Sequence, residues 1–171
     1  MPFSEWSRLE ATLAGSDFAG LTVEEVIRTK LRFLNPACSN FGAWGSRTLR
    51  GDLFSGRNLD WSTDTGMNTC KLATVIHPPA SEGKAAHVML GYCGIMGALT
   101  GMSATGLTVH EANLESNRDS FHGFPWLYRL RAVMEQSADL ASAKKLWDAT
   151  NNTCGFNHAV GSNNEASGAP K

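Results

Sequence analysis

Two short segments joined by a turn signal set the architecture of this chain. Cys38-Ser39-Asn40-Phe41-Gly42-Ala43-Trp44-Gly45 is followed by Gly56-Arg57-Asn58-Leu59-Asp60-Trp61. Between them Arg50-Gly51-Asp52 has turn chemistry, because glycine tolerates positive φ and aspartate bonds back to its own backbone. The pattern predicts two antiparallel strands of one hairpin, Cys38 to Thr48 and Leu53 to Trp61. Folding that hairpin returns Arg57 and Asp60 to the neighbourhood of Cys38, so a thiol, a guanidinium and a carboxylate converge.

The chemistry of such a trio is specific. A cysteine is nucleophilic only as thiolate and needs a base or a positive field to become one. Arg57 carries permanent positive charge, and Asp60 can hold that charge or orient an amine and a water. A cut before Cys38 would free an α-amino group, whose pKa of about 8 suits it as the base. The plain structural alternative is a small buried thiol beside an ordinary Arg57–Asp60 ion pair. Either residue set alone would favour that alternative; both together at hairpin spacing favour catalysis.

At these residues the chain resembles the cysteine-nucleophile branch of the N-terminal nucleophile (Ntn) hydrolases. That branch includes acyl-coenzyme A:6-aminopenicillanic acid acyltransferase, acid ceramidase, penicillin V acylase and bile salt hydrolase. The resemblance rests first on Cys38 followed by Ser55-Gly56-Arg57-Asn58-Leu59-Asp60-Trp61. It continues through Gly101-Met102-Ser103-Ala104-Thr105-Gly106-Leu107, Phe124-Pro125-Trp126 and Gly155-Phe156-Asn157-His158. It implies an α+β fold, the αββα sandwich, of which this chain carries roughly the first half. It also implies autocatalytic cleavage before Cys38. Residues 1–37 would then be a helical pro-segment, and 38–171 the N-terminal part of the catalytic domain.

Composition narrows the alternatives. The 171 residues are 42% hydrophobic and 18% charged, enough for one domain with a core. A formal charge of −1 gives no electrostatic case for nucleic acid. Arg129 and Arg131 read as the solvated face of a helix. No stretch reaches the ~18 uncharged apolar residues of a membrane span, and no signal peptide is visible at the N-terminus. The four cysteines (Cys38, Cys70, Cys93, Cys154) lack zinc-like spacing. Their even number permits disulfides, but Cys93 in its apolar run reads as a core thiol. His110-Glu111 lacks the second histidine of a zinc motif, and no phosphate loop is present. No metal or cofactor is expected. Asn151-Asn152-Thr153 has the glycosylation acceptor pattern, which means little without a secretory signal.

Along the chain, helical spacing marks Ser4 to Leu13 and Thr22 to Leu34, the latter with a Thr22/Glu25 capping box and Pro36 after it. Strands are expected at Cys70 to Ile76, Ala86 to Tyr92 and Leu107 to Asn113. Gly94, Gly97 and Gly101 are spaced as turn or close-approach glycines. Pro125 to Ser137 is an amphipathic helix with Leu127, Leu130, Val133 and Met134 on one face, and Asp139 caps another through about Ala149. Phe156 to Gly161 is a short strand, and Ser162 to Lys171 a polar loop. The remaining histidines (His77, His87, His122, His158) read as surface or hydrogen-bonded residues.

The cysteine cluster and the resemblance together imply a cysteine amidase or acyltransferase acting on a small, non-peptide N-acyl substrate. Cys38 is the nucleophile, Arg57 stabilises charge around it, and Asp60 orients the freed amine. Asn113 is either a strand-end turn residue or an oxyanion donor, and the resemblance favours the donor. A second polypeptide, either the remainder of the precursor or another subunit, is expected to complete the sandwich. The competing reading is a catalytically silent Ntn-like scaffold. A papain-type protease ranks last, because Cys38-Ser39-Asn40 does not match its surroundings.

Overall fold

The computed structural model describes residues 38–61, 66, 69–114, 118–120 and 122–166. The chain divides into two units, Met1–Ala37 and Cys38–Lys171. The helices expected at 4–13 and 22–34, and with them the pro-segment, lie outside the described residues.

The hairpin forms from β1 (Ser39–Gly45) and β2 (Gly51–Asn58), antiparallel with Ser39 opposite Asn58 and Asn40 opposite Arg57. Its reversal falls over 46–50, earlier than the Arg50-Gly51-Asp52 signal suggests. The cause is a pair of glycines: Gly45 and Gly51 face each other across the turn with φ of 59° and 79°, values costly for other residues. Thr48 Oγ1 donates to Asp52 O at 2.9 Å, which holds Asp52 as a strand residue.

A second sheet runs in chain order and is antiparallel throughout: β3 (Lys71–Ile76), β4 (His87–Tyr92), β5 (Thr100–Ser103), β6 (Leu107–Asn113) and β7 (Phe156–Ser162). Cys93 is not a core thiol. It forms a disulfide with Cys70, because Lys71–Tyr92 is the last ladder pair and the flanking cysteines stand opposite each other, Cα–Cα 5.6 Å apart. The apolar run around Cys93 obscured that pairing.

Helices α1 (Trp126–Gln136) and α2 (Leu140–Asp148) cover one face of this sheet. Leu130, Val133 and Met134 of α1 are fully buried with Met89, Leu107 and Val109 of the strands. Asp139 and Ser142 form the reciprocal cap that starts α2. The three glycines divide as their spacing suggests. Gly94 sits at φ 87° in a turn. A Cβ on Gly97 would meet the Leu127 backbone at 2.6 Å, and one on Gly101 would meet the Met134 sulfur at the same distance.

Two further expectations change. Arg129 is not solvated: it is 2% exposed, its Nη2 donates to Trp147 O and Thr150 O, and its guanidinium lies 4.2 Å from the Trp147 ring centroid. Arginine's planar fork satisfies carbonyls while stacking, which lets it be buried without an acid partner. Ser162 to Lys171 is not all loop either. Ser162 ends β7 opposite Leu107, and Asn163–Ala166 is a short helix, α3. Asn163 anchors it, with its N–H donating to Gly106 O and its Oδ1 accepting from Leu53 N at 2.7 Å.

The hairpin lies on the sheet face opposite α1. Gly101 faces Met134, so its neighbours on the pleat, Thr100 and Met102, point the other way. There Leu53 of β2 approaches Gly161, and Ser55 meets His110. The order of layers is therefore helices, five-stranded sheet, hairpin.

Candidate active site

Cys38 immediately precedes β1 and is half-buried. It shares a face with Asn40, two positions on, and Arg57 is directly opposite Asn40. A long side chain at that diagonal position reaches the thiol. Arg57 Nη2 donates to Cys38 Sγ at 3.1 Å.

The same guanidinium is held by Glu111. Arg57 Nε donates to the Glu111 backbone carbonyl at 2.6 Å, and Nη2 donates to the carboxylate Oε2. Both side chains are almost wholly buried, at 5% and 4% exposure. Burial pushes the Glu111 carboxyl above its usual range, and the Arg57 charge opposes that rise. A buried ion pair of this kind fixes geometry more than it adds stability. Glu111 therefore holds Arg57 against the thiol.

The polar support continues beneath the hairpin. Thr100 Oγ1 donates to Val109 O at 3.0 Å and contacts His110 Nδ1. With its one proton committed, the threonine oxygen accepts from Nδ1–H, which leaves His110 Nε2 to accept from Ser55 Oγ at 2.9 Å. Burial, followed by the Arg57 charge, lowers the His110 pKa, consistent with a neutral ring. This chain ties β2 to β5 and β6 one step from Arg57.

The remaining expected residues divide. Asn113 lines a cleft of about 190 Å³ that also takes in Cys38, Leu59, Leu99, Trp126 and Phe156. Asp60 lies just past β2 and is exposed, its Oδ1 accepting from Asn58 Nδ2 at 2.6 Å. The structure thus brings Cys38, Glu111 and Asn113 to one cleft, with Arg57 bonded to the thiol and to Glu111, which is the acid on the guanidinium. Sequence reasoning missed Glu111, weighing it only as part of a zinc motif. The signal was a lone carboxylate in the middle of a strand whose Leu107, Val109 and Ala112 mark it as a core strand, since a buried acid requires a cation.

Behind the cleft wall Trp126 and Phe156 stack with centroids 4.4 Å apart, and His158 packs edge-on to Trp147 at 4.8 Å. Burial, with the Arg129 charge adding to it, pushes the His158 pKa down to about 4. Among the described residues no three metal-ligating side chains cluster, and no helix is long and apolar enough to cross a membrane.

The sequence profile of the acyl-coenzyme A:6-aminopenicillanic acid acyl-transferase family matches residues 47–168. The chain belongs to that family. Arg57, Asp60, Glu111 and Asn113 fall inside the matched span of this acyl-transferase family, and Cys38 precedes it. Two relatives from Dictyostelium discoideum are similar: protein dcd1B, 28% identical over 151 residues, and protein dcd1A, 26% identical over 158. Each alignment covers 86% of this chain, but only 30% and 36% of the respective relative. The chain thus spans about a third of their length. Among solved structures, the Caenorhabditis elegans ortholog of N-acylethanolamine-hydrolyzing acid amidase superposes with a TM-score of 0.53 at 16% identity. That match covers 74% of this chain and 55% of the other. It establishes the fold as the α+β Ntn-hydrolase sandwich, present here in part.

Proposed function

We propose that this chain carries the nucleophile half of a cysteine amidase or acyltransferase acting on a non-peptide N-acyl substrate. The observation that carries the reading is Arg57, whose Nη2 donates to Cys38 Sγ and to the Glu111 carboxylate that holds it. A core thiol needs no buried cation aimed at it. Cleavage between Ala37 and Cys38 removes residues 1–37 as a pro-segment and frees the Cys38 amine. That amine takes the thiol proton, and Sγ attacks the amide carbonyl. The tetrahedral intermediate collapses to a thioester as the amine leaves with the proton, and water or an acceptor amine then resolves the thioester.

Asn113, which lines the cleft with Cys38, is assigned as a donor to the oxyanion, a contact worth ~3 kcal/mol in such sites. Asp60 is assigned to orient the freed amine. The cleft beside the thiol is lined chiefly by Leu59, Leu99, Trp126 and Phe156, which suits an apolar acyl chain. The structural relative is named for hydrolysing N-acylethanolamines, amides of the same general kind.

The test is mass analysis of the completed protein after exposure to a panel of N-acyl amines. The expected result is an acyl adduct, labile to hydroxylamine, on a peptide that begins at Cys38. The Cys38→Ala protein stays uncut and unlabelled. Turnover with the Ala37–Cys38 bond intact overturns the N-terminal mechanism. A cut protein that never acylates supports the silent-scaffold reading instead.

A further inference from the structure

The geometry and the cysteine chemistry together point to Asn151 as an N-glycosylation site. We infer that its side-chain amide carries an oligosaccharide added in an oxidising lumen. Asn151 is the one asparagine of the chain that stands in an Asn-x-Ser/Thr pattern, with Asn152 and Thr153 following it. Such a pattern becomes a modification site only if the chain meets the machinery and the folded protein has room for the product.

The disulfide supplies the first condition independently of the motif. Cys70 and Cys93 are joined across the ends of β3 and β4, and structural disulfides persist where thiols are oxidised, as in the lumen in which asparagines are glycosylated. The local fold supplies the second. Asn151 follows α2 in an exposed turn. The fold engages it through its backbone, since its carbonyl accepts from Phe124 N at 2.8 Å while Thr153 O accepts from Ser120 N at 2.7 Å. A Cβ on Gly123 would lie 3.0 Å from the Asn151 carbonyl oxygen, so the turn is packed on its backbone side. The side chain is left to solvent, where a bulky hydrophilic group costs no packing.

The transfer balances with one co-reactant, a polyprenyl diphosphate oligosaccharide. Asn151 Nδ2 forms a bond to the anomeric carbon and loses one proton. The bond from that carbon to the diphosphate oxygen breaks, and the lipid diphosphate leaves. No electron changes hands.

The test uses the full protein isolated from its natural source. Treatment with peptide N-glycosidase in heavy-oxygen water should lower the intact mass and leave a labelled aspartate at position 151. Asn151→Gln and Thr153→Ala, expressed in the same cells, should each migrate as the deglycosylated form while Cys70 and Cys93 stay protected from alkylation. Unmodified Asn151 in a protein whose Cys70–Cys93 bond is formed overturns the proposal. Unmodified Asn151 in a protein with both thiols reduced overturns it too, by removing the lumenal premise.

Discussion

Arg57 is anchored by an acid, and the consequences differ for each partner. Glu111→Gln removes the anion and leaves a guanidinium buried without its counter-charge, an error that typically costs about 3–5 kcal/mol. Urea unfolding should register that loss, and alkylation of Cys38 should slow. Arg57→Lys keeps the charge but loses the Nε–Nη2 edge that grips Glu111 twice while Nη2 reaches Cys38, so turnover should fall severely. Asp60→Asn should nearly abolish processing and turnover while leaving the midpoint unmoved, because Asp60 is exposed. Normal kinetics in that variant would return the site to Cys38, Arg57 and Glu111 alone. His158 gives a pH signature. Its folded pKa of about 4 lies below its ordinary value of 6.5, so the unfolded chain binds the extra proton between those values. Stability should hold above pH 6.5 and decline as pH falls towards 4. Thermal melts across that window should show a flatter decline in His158→Asn. Cys38 and Arg57 were legible because the motif names residue types. Glu111 was not, because it pairs with Arg57 from a strand 54 positions away and no local spacing records the contact.

At the scale of elements the sequence was most informative where local chemistry decides. Asp139 caps α2 as expected, with Ser142 completing the reciprocal cap, and β6 spans Leu107–Asn113 as expected. It was least informative where two distant segments meet. The disulfide needed the β3–β4 register before Cys70 and Cys93 could be placed opposite each other. Likewise the hairpin turn was misplaced by a few residues, because two glycines competed for the reversal and only their cross-strand pairing decides. Closing a loop across a separation of 23 positions lowers the entropy of the unfolded chain by about 3 kcal/mol. The double variant Cys70→Ser/Cys93→Ser should therefore unfold at lower denaturant under oxidising conditions, and the parent should fall to the same midpoint when reduced. If parent and variant already coincide without reductant, the bond does not form.

For the molecule as a whole, the uncovered faces decide what must be added. The hairpin shields the β6–β7 end of the five-stranded sheet, but β3 to β5 lie beyond it. There Val75, Val88 and Met102 stand in one line across three strands, and Val75 and Met102 remain 63% and 54% exposed. Ala73 and Leu90 form a second pair on the same face, beside an open hollow of about 370 Å³ between the end of β2 and β3–β4. The hairpin also exposes Phe41 and Phe54 on its side away from the sheet, at 64% and 60%. Together these make an apolar surface of the kind that monomers do not leave to water. The incompleteness was legible from the resemblance; the location of the open faces needed the register. We therefore expect further strands, from the same precursor or another subunit, to extend the hairpin sheet across β3–β5, with helices over Phe41 and Phe54. Residues 1–171 expressed alone should aggregate or bind hydrophobic dye with loose unfolding, and co-expression of the partner should rescue them. Met102→Glu separates this from simple misfolding. On an open face it should leave the isolated chain no less soluble, yet it should block rescue by placing a charge at the join. A soluble 1–171 monomer that unfolds cooperatively and ignores the dye would instead establish these faces as native surface.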